Sequence, residues 1–84
     1  MSTDDEDAAF YAGIAAQVTE NRVARGLSQR ELAELCGTTQ SAIARLESGS
    51  RPPKIDTLLR VAAALDCRLE VAFHARTSLP RRTP

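Results

Sequence analysis

Aromatic side chains are nearly missing from this chain: no Trp, one Tyr and two Phe in 84 residues. Apolar residues still make up 43%, so the core falls to Leu, Ile, Val and Ala, which suits packed helices. Cysteine and histidine are scarce as well. Cys36, Cys67 and His74 have no CxxC or HxxxH spacing to gather them, so neither a metal nor another cofactor is expected. Each thiol reads as a small buried side chain, and a cytosolic setting disfavours a disulfide between them. No run approaches the roughly 20 apolar residues that cross a bilayer. No basic start precedes an apolar stretch, as it would in a secretory signal. The expectation is a soluble, cytoplasmic, single-domain protein with no membrane partner. Catalysis also lacks its parts. There is one His, no carboxylate pair sharing a clear cleft and no Gly-rich phosphate loop, so no enzyme is expected.

Net charge is missing too, with eleven basic and eleven acidic side chains and a pI near 6.6. That argues at first against nucleic acid, whose binders are usually basic. The distribution reverses the argument. Asp4, Asp5, Glu6 and Asp7 crowd one end, and residues 8–84 keep eleven basic against seven acidic side chains, a net of +4. Local charge governs phosphate affinity. The acidic end reads as a solubilising tail, or as a competitor with DNA for the basic face.

What the chain does have is concentrated in Ser28 to Gly49, SQRELAELCGTTQSAIARLESG. Ser28 is a natural N-cap, and Glu31 three residues on completes a capping box. Leu32 and Leu35 share one face of the helix that follows, and Gly37 ends it. Thr39 caps a second helix with Ile43 and Leu46 on one stripe, and Gly49 closes it. Two short helices about three residues apart, with Gly in the turn, make a helix-turn-helix. Such a motif presents the start of its second helix to base edges in the major groove. Gln40, Ser41, Ala44 and Arg45 are the candidate base readers. Gln40 leads, because its amide matches adenine N6 and N7; Arg45 suits guanine or a phosphate. Gln29, Arg30, Thr38, Thr39, Arg51 and Lys54 are the phosphate candidates, Gln29 together with the N–H groups that open its helix.

The same residues carry a resemblance. Gln29, Leu32, Ala33, Gly37, Gln40, Ile43, Leu46, Glu47 and Gly49 stand where the helix-turn-helix of the phage-repressor and Cro-like regulators, the XRE family, has its pattern. The likeness extends more loosely from about Ile14 to Leu65, and RLEVAFHA resembles the strand following the helical domain in HipB-like antitoxins; HigA-like antitoxins are similar. The resemblance implies that Arg22 pairs with Glu47, tying the first helix to the third. It also implies that Gln29 binds phosphate and braces Gln40. Arg22 needs such a partner on physical grounds, since it continues the apolar stripe of Phe10, Ile14 and Val18.

Elsewhere the pattern is plainer. Residues 1–8 have no apolar period and are expected to be disordered, with a helix from about Ala9 to Arg25. Pro52 and Pro53 hold residues 50–54 extended. Ile55, Leu58, Leu59, Ala62 and Leu65 mark another helix, with Lys54 at its N-cap instead of Ser or Thr, and Asp66 at its exit. From Arg68 the period becomes two, with Leu69, Val71 and Phe73 on one side, which predicts a strand. A lone strand lacks a ladder partner within the chain, so pairing with a second copy is expected; a fifth helix is the alternative. Arg81 and Arg82 lie in a tail expected to be solvated.

The expected fold is thus all-α: a compact four-helix, or alternatively five-helix, repressor-like DNA-binding domain with a short C-terminal β-strand pairing across a dimer. Its parts are a disordered acidic tail (1–8), the DNA-binding domain (9–66), a dimerisation strand (67–75) and a disordered basic tail (76–84). The expected function is sequence-specific recognition of double-stranded DNA by a homodimeric repressor on a near-palindromic operator. The resemblance adds an antitoxin that binds a cognate toxin protein and represses its own operon. The competing reading is a protein-interaction module that does not meet DNA.

Overall fold

The computed structural model describes residues 3–75, and side chains from residue 5. Four helices follow one another: α1 (Thr3–Ala24), α2 (Gln29–Cys36), α3 (Gln40–Ser48) and α4 (Ile55–Ala64). α3 packs against α1 and α2, and α2 also packs against α4. Leu32 and Ile43 are fully buried at the centre, with Val18, Ala33, Val61 and Leu65 around them. Leu27, Cys36, Leu46 and Ala64 close the edges of this cluster. The small side chains the composition left to this core allow short helices to approach closely.

The two ends depart from the sequence reading. α1 begins at Thr3, so residues 3–8, expected to be disordered, are helical. The acidic run that carries no apolar period is instead suited to the positive end of a helix macrodipole. The apolar stripe of α1 buries only in part: Val18 is buried and Ile14 half-buried, whereas Phe10 is 65% exposed. The deeper contact comes from Ala15, which faces α3 and the turn after it.

Past Asp66 there is neither the expected strand nor a fifth helix among the described residues. Leu69 is half-buried, Val71 is 70% exposed and Phe73 wholly exposed. Two-residue alternation marks a side that could be buried. A ladder additionally requires a neighbouring backbone to accept its hydrogen bonds, and one copy of this chain supplies none. An exposed Arg68–Glu70 pair at 2.6 Å is the local order there. The expected basic tail, with Arg81 and Arg82, lies outside the described residues.

Candidate nucleic-acid interface

The direction of α3 is fixed by the turn before it. Gly37 takes φ 71°, its N–H donates to Glu34 O, and the Thr38 N–H donates to Ala33 O at 2.9 Å. This pair of bonds closes α2 in a Schellman motif and reverses the chain. Thr39 then caps α3, its Oγ1 accepting from the Ala42 N–H at 3.1 Å. At the start of α2, Ser28 Oγ accepts from the Glu31 N–H at 3.0 Å, and Glu31 Oε1 accepts from the Ser28 N–H at 2.8 Å. Ile43 turns inward and is buried, leaving Gln40, Ser41, Ala44 and Arg45 exposed on the outer side of α3.

The far end of α3 is held by Glu47. Arg22 grips its carboxylate with a two-pronged fork, Nε to Oε2 at 2.7 Å and Nη2 to Oε1 at 3.1 Å. Arg22 Nη1 also donates to Leu27 O at 2.7 Å, so one guanidinium ties α3 to the α1–α2 connection. The side chains are 14% and 5% exposed. Burial alone would push the Glu47 carboxyl up. Hydrogen bonds from Arg22, Gln29 and Thr19, with the guanidinium's charge, hold it below the ordinary carboxylate value instead. Its hydrogen bond to Glu47 raises Arg22 against the opposing effect of burial.

Gln29 donates from Nε2 to Glu47 Oε1 at 3.0 Å. Among the described residues no hydrogen bond joins Gln29 to Gln40, the brace that the resemblance implies; the bond Gln29 makes is to the carboxylate, a stronger acceptor than a neutral oxygen. Gln29 still stands at the first position of α2, beside that helix's free N–H groups. Arg30, Thr38, Thr39, Arg51 and Lys54 are all exposed. Arg25 and Arg68 are drawn to Asp66 and Glu70. By contrast Arg30, Arg45, Arg51 and Lys54 form no ion pair among the described residues. Leu69 and Val71 line a broad, largely apolar groove with Phe10, Ile14, Leu58 and Leu65, to which no residue of α3 contributes; Phe73 is not part of that lining and is wholly exposed.

One basic residue at the surface escaped the sequence reading. Arg60, on α4, lines a small cleft with Thr38 and Ala42. Periodicity marks it only as polar, and nothing local to α4 tells which neighbour its polar side meets. Among the described residues no group of three or more His, Cys, Asp or Glu side chains could hold a metal, and no helix is long and apolar enough to cross a membrane.

Comparison with known proteins gives a consistent set of likenesses. The helix-turn-helix family model HTH_3 matches residues 19–71. An HTH-type transcriptional regulator, y4dL of Sinorhizobium fredii, is 41% identical over 67 residues, 80% of this chain and 33% of the regulator. An HTH-type transcriptional regulator of Haemophilus influenzae is 36% identical over 55 residues, covering 66% of this chain and 56% of its own. The chain therefore spans about a third and just over half of these two relatives. Among solved structures, the restriction-modification controller protein C.AhdI of Aeromonas hydrophila is 34% identical with a TM-score of 0.69, over 73% of this chain and 88% of its own. A chain of a toxin–antitoxin module from Streptococcus pneumoniae is likewise 34% identical, with a TM-score of 0.66 over 86% and 80%.

Proposed function

The chain belongs to the helix-turn-helix family of transcriptional regulators, and on that premise we propose that it is a homodimeric repressor that reads a near-palindromic DNA operator. One observation carries the proposal: Gln40, Ser41, Ala44 and Arg45 stand exposed together on α3, whose two ends are fixed by the Thr39 cap and the Glu47 fork. A helix so held can enter a major groove without first paying to order itself. Gln40 pairs with an adenine edge, Arg45 reaches a guanine or a phosphate, and Ser41 and Ala44 allow close approach. Arg30, Arg51 and Lys54, exposed and without an ion pair among the described residues, bind phosphates, together with Gln29, Thr38 and Thr39.

One α3 covers only a few base pairs. Two copies with their α3 helices about 34 Å apart would read a symmetric site one turn of DNA long. The exposed apolar side chains Phe10 and Val71, on a groove that no α3 residue lines, and the exposed Phe73 support a second copy as the partner they meet. Occupancy of a promoter by such a dimer is enough to repress.

A second reading is favoured by the likeness to the toxin–antitoxin chain, which runs over 80% of that chain's length. In it this protein is an antitoxin that also binds a toxin protein. The likeness to the restriction-modification controller over 88% of its length supports a regulator with no toxin equally well. Purification from the native host separates the two: a second small protein that co-elutes supports the antitoxin, and a clean homodimer removes it. Gln40→Ala tests the DNA reading itself. It should weaken operator binding by about 1–3 kcal/mol and relax preference at one position in each half-site; unchanged affinity and preference would refute Gln40 as a base reader, whereas failure of the wild-type protein to bind any duplex selectively would leave an interaction module.

A further inference from the structure

Arg60 is exposed on α4 and closes a small cleft with Cys36, Thr38, Ala42 and Thr57. Four pieces of the chain meet there: the end of α2, the turn after it, the first turn of α3 and the first half to middle of α4. We infer that this cleft, with Arg60 as its cation, seats a backbone phosphate of duplex DNA on the side of α3 opposite Gln29. The inference rests on the DNA-binding reading and extends its footprint to α4.

Position around α3 supports it. Successive helical residues turn by about 100°. Glu47 therefore lies within about 20° of Gln40, and Ala42 about 160° from it. Gln29, hydrogen-bonded to Glu47, stands by the first flank, and the cleft, lined by Ala42, by the second. Ser41, Ala44 and Arg45 fall between the two. A helix about 10–12 Å across fills a major groove about 12 Å wide. With the readers toward the bases, each flank faces one sugar–phosphate wall. Gln29 meets one wall and the Arg60 cleft the other.

The chemistry of the cleft suits a phosphate. A guanidinium grips phosphate oxygens with two parallel N–H bonds, and the hydroxyls of Thr38 and Thr57 can donate beside it. The cleft is small, about 90 Å³, and has room for one phosphate. Arg60 forms no ion pair among the described residues, so no carboxylate must be displaced. Its charge is felt inside the cleft: burial pushes the Cys36 thiol up, and Arg60 works against that push.

The test uses one duplex selected by the full chain, read by salt titration and by phosphate-ethylation interference. Arg60→Gln should make the slope of log affinity against log salt shallower by about one, with base preference unchanged. One ethylated phosphate across the groove from those contacted through Gln29 should block the wild-type protein and not the variant. Thr57→Val, on the same cleft, should soften interference at that same phosphate, and it serves if Arg60→Gln melts early. An unchanged slope and interference pattern in both variants overturns the inference. Gln40→Ala in the same assay keeps the two questions apart. If it loses base preference while the cleft variants change nothing, only the Arg60 site falls. If the wild-type protein selects no duplex, the DNA reading fails and takes this site with it.

Discussion

Glu47 is the residue on which the position of α3 depends. Its carboxylate accepts from Arg22 on α1 and Gln29 on α2, so three helices converge on one largely buried charge. Removing the partner would leave that charge uncompensated. Arg22→Ala should therefore cost about 3 kcal/mol, measured by denaturant unfolding. The pair also gives stability a pH dependence of known sign. Glu47 is held below the ordinary carboxylate value, so the folded state binds its proton less readily than the unfolded chain. Its contribution is fully present above the unfolded value of about 4.3 and is lost as pH falls through the lower folded value. Melting temperature should drop in that acidic window, and Glu47→Gln should flatten this part of the curve. A Glu47→Gln profile parallel to wild type would contradict the assignment. That Arg22 needs a partner was legible because it falls on an otherwise apolar stripe; that the partner is Glu47 was implied by the family resemblance. Arg60 was not legible, since a cation on a polar helix face carries no local sign of what lies across from it.

The elements are set mostly by how they end. α1, α2 and α4 close with the same two bonds: a left-handed residue donates to the carbonyl three residues before it, and the next residue donates to the carbonyl five before it. At α1 and α2 that residue is Gly26 or Gly37, and at α4 it is Asp66 with φ 57°, one of the few non-glycine types that tolerate it. Gly49, after α3, is constrained twice. It has φ 69°, and a Cβ there would sit 3.1 Å from the Ala12 Cα on α1. Gly49→Ala should cost at least the left-handed penalty of about 1–2 kcal/mol, read as a lower melting temperature; an unchanged melt would contradict the tight approach of α1 to this turn. Caps and turns are written in neighbouring residues, which is why Ser28, Gly37, Thr39 and Gly49 could be placed from the sequence. The ends could not. Whether residues 3–8 join α1 depends on a helix already formed behind them. Whether Leu69, Val71 and Phe73 form a strand depends on a partner backbone, which no local pattern encodes.

At the scale of the whole molecule, the described chain has two unlike surfaces. One carries Gln29, Gln40 and Arg45, with Arg30, Arg51 and Lys54 exposed and without an ion pair among the described residues. The other is the groove on which Phe10 and Val71 are exposed, followed in the chain by the exposed Phe73; a contiguous exposed apolar patch marks an interaction site. If a second copy covers it, sedimentation should give twice the 9.1 kDa chain mass, and Phe73→Ser should shift the protein toward monomer with weaker operator binding. A wild-type monomer at micromolar concentration would contradict the dimer and with it the palindrome. The most direct measurement is selection of the purified protein against a random duplex pool at stated salt. The account predicts recovery of a two-fold symmetric site with half-sites about one helical turn apart, with Gln40→Ala losing preference at one position in each. Weak, uniform binding with no enriched sequence would contradict it.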